Sequence, residues 1–251
     1  MAQKSKQWAA IIMMIALFAM IAFVTNLCSP MATIVKNQFG ASELAGQIGN
    51  YANFIAYLVM GIPSGMLIAK LGYKKTALLA LIVGIVGIVF EYLSGVVGSY
   101  VIYLVGAFIS GLCMCMLNTV VNPLLNVLGG GGKTGNQLIQ IGGAANSAAA
   151  VAVYILMGAL IGEVTKSTGI SDATPALIIA GVIFVIAFVI LLFTKIEEPE
   201  QAKVELSLIT GALKFRQLSL GALAIFLYMS VEVGTPTYMI SYLQTPEVGL
   251  S

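Results

Sequence analysis

Asn118, Asn122 and Asn126 recur at every fourth position of an apolar run, with Pro123 set among them. That spacing puts all three on one face of a helix. A carboxamide left unpaired in hydrocarbon costs several kcal/mol, so such a row faces a bundle interior or a wet cavity. Its chemistry is to donate and accept hydrogen bonds without charge, which suits a polyol. The same amides equally serve as glue between helices, and both readings stand on local grounds. Asn26, Ser29 and Pro30 form a second polar group, where the proline frees a backbone carbonyl one turn earlier, as in broken transporter helices. Asn50 and Asn53 form a third, toward the outer end of its run, where simple wetting also explains them. Tyr51, Tyr57 and Tyr228 suit either stacking on a polyol's apolar face or packing and interface anchoring. Glu232 shares a face with Tyr228 and Thr235 and reads as the deepest carboxylate, while Glu91 reads as lying near the outer end of its own run. Desolvation disfavours the charged form of such an acid, so Glu232 is a candidate for proton exchange, solute binding or a structural hydrogen bond.

Other chemistries find no support. The chain has no histidine, and Cys28, Cys113 and Cys115 lie in apolar runs without metal-ligand spacing. No nucleophile–base pair appears, so neither an enzyme, a metal site nor a cofactor is expected. Gly129 to Thr134 closes with the Gly-Lys-Thr of a P-loop, but Val127 stands where the first glycine is required and no strand precedes it. The segment reads as a flexible turn. A net charge of +2, with the bases in short loops, offers no patch for nucleic acid. The small residues from Gly142 to Ala150 suit close helix packing.

The elements that must hold these residues are membrane helices. The sequence is 59% hydrophobic and 9% charged, with a mean hydropathy of +1.01. A soluble domain carries about a quarter charged residues, so this composition predicts an integral membrane protein, all α. Apolar runs predict spans over roughly Trp8–Leu27, Ile48–Ala69, Thr76–Leu93, Tyr100–Leu128, Leu138–Ile161, Pro175–Phe193 and Leu218–Tyr242. The first has no small-residue cleavage site after it and reads as a retained anchor. Lys4, Lys6, Lys70, Lys74, Lys75, Lys133, Lys195, Lys203, Lys214 and Arg216 fall on one side of this alternating arrangement, and only Lys36 and Lys166 on the other. The positive-inside rule then makes the amino terminus cytoplasmic. Residues 194–217 carry Glu197, Glu198, Pro199, Glu200 and Glu205 among their bases and read as a solvated cytoplasmic linker. The expected domains are a six-helix bundle over 1–193, that linker, and 218–251 as a seventh helix opening a second bundle.

Several segments resemble one family. Gly65 to Lys75, with Gly72, Lys74 and Lys75, is similar to the loop between helices two and three of the major facilitator superfamily, although the usual acid is Ala69 here. Ile62-Pro63-Ser64-Gly65 resembles the Ile-Pro-Ala-Gly of the fucose–proton symporter family, which includes glucose/galactose permeases. Asn118-Thr119-Val120-Val121-Asn122-Pro123, continuing to Val127-Leu128-Gly129, resembles that family's Glu-Thr-Ala-Ala-Asn-Pro and Val-Leu-Gly. Asn146-Ser147 looks like its Gln-x-x-Asn-Ser, and Glu232-Val233 like the Glu-Val of the glucose/galactose branch.

The resemblance implies a major facilitator-type six-helix amino-terminal bundle plus the first helix of a truncated second bundle, about seven transmembrane helices in all. It implies a secondary active transporter of a hexose or deoxyhexose, present as a fragment and working by alternating access. Coupling to a proton or sodium ion, a multi-pass bacterial inner-membrane location, and a need for the missing second bundle follow from it. The residues it suggests for sugar contact are Asn26, Asn118, Asn122, Gln140, Asn146, Tyr228 and Glu232, and the order of the matched segments favours contact over glue for the asparagine row. Both carboxylates that the fucose branch uses for protonation are absent: the helix-four acid is Asn118 and the helix-one aspartate is Ser29. The helix-five glutamine aligns with Gly143, with Gln140 one turn earlier. Glu232 is then the coupling candidate. The rival readings are a complete seven-helix receptor, which the lysine bias disfavours, and a small 3+1+3 facilitator, which the polar segment after helix six disfavours.

Overall fold

The computed structural model describes residues 7–40, 42–161, 168–196, 198, 211 and 214–243. Lys4, Lys6, Lys166, Lys203, Glu197, Pro199, Glu200 and Glu205 lie outside them. Two compact units emerge, 1–202 and 203–251. In the first, helices run as α1 (Trp8–Phe39), α2 (Glu43–Leu71), α3 (Tyr73–Val97), α4 (Tyr100–Leu128), α5 (Gly132–Ile161) and α6 (Thr174–Phe193). The turn Ile170–Ala173 leads into α6. The second unit holds α7 (Arg216–Leu243). Among the described residues no strand occurs, and six helices are long and apolar enough to cross a membrane.

The limits of α4 match the apolar run, and α6 begins one residue early. The others overrun theirs. The largest difference is α1, which continues unbroken through Pro30 to Phe39. Hydropathy marks only the part of a helix that sits in hydrocarbon, whereas backbone hydrogen bonding carries the helix on into the interface. Pro63 and Pro123 are likewise carried inside continuous helices, each at the cost of one i→i−4 bond.

The core lies along α1 and α4. Met14, Leu17, Ile34, Met114, Leu117, Val120 and Leu124 are fully buried there. α4 packs on α1, α2, α3 and α5, and α3 on α6. Small residues set the closest approach. A Cβ added to Gly106 on α4 would stand 2.8 Å from the Glu91 backbone nitrogen on α3, so only glycine admits that contact. The turn between α4 and α5 is built the same way. Gly130, Gly131 and Gly132 have φ of 83, 72 and 54°, three left-handed residues in succession that side chains would strain. The stretch that looked like a phosphate loop is thus a backbone reversal.

Candidate functional site

Three helices meet at a polar junction. The Asn118 amide on α4 donates to the Tyr57 hydroxyl on α2 at 2.9 Å. Near the same hydroxyl stands Thr25 on α1, whose buried Oγ1 has no hydrogen-bond partner among the described residues. Interhelical bonds of this kind contribute about 0.6 kcal/mol on average in a membrane and up to about 1.7. Asn122 lies one turn further along α4 and donates back to the Asn118 carbonyl at 3.1 Å. Asn26 does the same on α1, to Ala22 O at 2.8 Å, and Thr119 Oγ1 donates to Cys115 O at 2.8 Å. Folding onto its own helix uses one N–H of each amide, and among the described residues the Oδ1 of Asn26 and Asn122 accepts no hydrogen bond. Both side chains are half-buried. The junction therefore offers neutral acceptors beside a phenol, a set that recognises hydroxyls.

The other expected residues are placed differently. Asn146 on α5 donates to Phe18 O on α1 at 2.8 Å and ties those helices together. Asn126 donates to Asn136 Oδ1 at 3.0 Å across the glycine turn. Within the asparagine row, Asn118 and Asn126 tie α4 to α2 and α5, while Asn122 bonds its own helix. Gln140 is exposed and lines an open concavity of about 730 Å³ with Lys133, Asn136, Gln137 and Ile141. Tyr228 and Glu232 interact with each other one turn apart on α7, both exposed, in the separate unit.

Burial adds what position along a run does not give. Asn50 and Asn53 are buried, not merely wetted, at 8% and 1% exposure, and Asn53 donates to Cys28 Sγ at 3.4 Å. Glu91 is buried at 6%, with the Ser110 hydroxyl donating to its Oε1 at 2.8 Å, whereas Glu232 is exposed. Position along a run gives depth from the helix end but not which side of the helix a neighbour covers. Thr25, Tyr57 and Ser110 were not assigned their roles from sequence. The signal was present for Tyr57, an aromatic polar group in the middle of an apolar run, and absent for the two hydroxyls, which are ordinary residues of membrane helices.

Residues 12–251 match the Major Facilitator Superfamily. The chain belongs to that family. Among relatives of the superfamily, a glucose/galactose transporter of Brucella abortus is 25% identical over 242 residues, covering 94% of this chain and 58% of the relative. The L-fucose-proton symporter of Escherichia coli is 22% identical over 253 residues, covering 90% and 58%. A crystal structure of the Escherichia coli fucose:proton symporter, in a singly substituted form, superposes with a TM-score of 0.77 at 19% identity, covering 96% of this chain and 64% of that one. The last comparison shows the fold. This superfamily member is an all-α, multi-pass membrane protein, and it spans about three-fifths of the length of these curated relatives.

Proposed function

We propose that this chain supplies the first bundle, and the opening helix of the second, of a secondary active transporter for hexoses or deoxyhexoses. Transport then follows from rocking of the two bundles about a solute held between them. The observation that carries the reading is the half-buried Asn122 carboxamide one turn from the Tyr57–Asn118 bond, with a second half-buried carboxamide, Asn26, next to Thr25 on α1. Neutral acceptors fixed on two helices discriminate polyols well, because the wrong epimer leaves one of them unpaired. Relatives whose names specify glucose, galactose and fucose support the substrate class, and one named as a proton symporter supports coupling to a cation. On the same grounds the chain is read as a transporter and not an enzyme.

Gln140 and Asn146 line the α5 side in this reading, with Tyr228 and Glu232 contributed by the second bundle. Glu232 is a carboxylate suited to bind a sugar hydroxyl or to carry a proton or sodium ion. The lysine-rich end, with Lys70, Lys74, Lys75 and Lys133, is cytoplasmic, in a bacterial inner membrane. With the second bundle present, Asn122→Ala should weaken sugar affinity about threefold to tenfold, the worth of one hydrogen bond to a neutral group. Labelled hexoses and 6-deoxyhexoses taken up into proteoliposomes provide the measurement. Wild-type protein that moves none of them, or Asn122→Ala that moves them with unchanged affinity, would overturn the reading.

A further inference from the structure

Glu91 is the carboxylate to which the sugar site gives no task. It lies on α3 against α4, where Gly106 lets the two backbones close around it and Ser110 donates to Oε1 at 2.8 Å. On the α1 and α2 side stand Cys28 and Asn53. The Asn53 Oδ1 is fully buried and, among the described residues, has no hydrogen-bond partner. That oxygen is an acceptor ready for a hydroxyl or water, because buried polar atoms nearly always find one.

The titratable groups within electrostatic reach of Glu91 are the Cys28 thiol on α1 and the Tyr103 phenol on α4, both acids. α6, which packs on the other side of α3, carries no ionisable side chain. Asp172 in the turn before α6 is exposed and accepts from Gly169 N at 2.9 Å. Among the described residues no base pairs with Glu91, so its carboxyl is not locked into a fixed ion pair. Intramembrane ionisable groups of this kind are functional by default.

We propose that Glu91 is a proton-binding site inside the first bundle, exchanging one proton between its carboxyl and water with Ser110 as hydrogen-bond partner. That this proton is a coupling ion of the cycle rests on the sugar-transport reading above. Proton binding itself does not.

Infrared difference spectroscopy of this chain in lipid vesicles, without sugar, from about pH 5 to about pH 9, tests the site. The expected result is a carbonyl band of a dry, protonated carboxyl that fades as pH rises and is missing in Glu91→Gln. The Gln side chain is isosteric and still accepts from Ser110. Should Glu91→Gln fail to fold, Ser110→Ala identifies the band instead, by moving it to higher frequency. A band that does not change with pH, or that persists in Glu91→Gln, overturns the proposal. So does a band that fades on adding sodium at constant pH, which would mark a cation site instead. With the second bundle present, Glu91→Gln should keep sugar exchange and lose accumulation driven by a pH gradient. Unchanged accumulation would remove Glu91 from coupling, whatever sugar is carried.

Discussion

At the scale of single residues, one distinction governs the site: whether an amide is tied to another helix or to its own. Asn118 reaches across to Tyr57, so its loss breaks an interhelical bond. Asn122 is folded onto Asn118 O, so its loss breaks a bond within α4, and the proposed function predicts that this second loss is felt by the solute. Tyr57→Phe keeps the ring in place and removes only the acceptor, leaving the Asn118 amide without its partner on α2. The expected cost is about 1 kcal/mol of stability, within the range of interhelical hydrogen bonds in membranes. Unfolding of the purified protein in mixed micelles by a denaturing detergent measures it. The double variant Tyr57→Phe/Asn118→Ala should lose less than the sum of the two single changes, since they break the same bond. Full additivity would mean that the two groups do not act on each other.

At the scale of elements, a polar tie at the lysine-rich end joins the end of α6 and the segment after it to α3. The Glu198 carboxylate accepts from the backbone N–H groups of Tyr73 and Lys74, at 2.8 and 2.9 Å, and so caps the first turn of α3. The Lys74 ammonium in turn donates to the carbonyls of Leu192 and Thr194 at the end of α6, at 2.9 and 2.8 Å. A carboxylate at a helix N-terminus satisfies orphan donors and complements the macrodipole. Glu198→Ala should therefore cost about 1 kcal/mol, the usual worth of a lost cap, and Glu198→Asp should recover part of it. Protease nicking after α6 that accelerates in Glu198→Ala but not in Glu198→Asp is the check, and equal rates in the two would sink the idea. Glu198 also shows where sequence reading reached its limit. The acids after α6 read as solvated because charge runs usually are, and only the return of the chain to α3 gives this one a partner. The helices themselves were legible, α4 to the residue, because twenty apolar residues have few other uses. The asparagine row was legible as a face. The pairing of Glu91 with Ser110 was not, since it depends on how α3 is rotated against α4, which the glycine contact at Gly106 decides.

At the scale of the molecule, the first unit exposes large apolar side chains along several helices. Leu58 on α2 is 84% exposed, with Ile55, Val59 and Ile62 beside it, and Val151 and Ile155 stand out on α5 in the same way. α6 is also apolar and exposed, at Val185 and Ile186. Lipid satisfies any of these surfaces, so exposure alone does not separate a lipid-facing helix from one that meets a second bundle. Polarity does: α5 carries Asn136, Gln137 and Gln140 on its open side, and α2 presents Tyr51, whereas α6 carries no polar side chain between Pro175 and Phe193. On polarity, α2 and α5 are expected to be shielded from lipid in a full-length transporter and α6 to meet it. A single tryptophan reports on this, because Trp8 is the only native one and can be changed to phenylalanine. In that background Leu58→Trp should be quenched by brominated lipid in this polypeptide and shielded once the second bundle is present. Val185→Trp should be quenched equally in both. Shielding at both positions, or at neither, would overturn this assignment of faces.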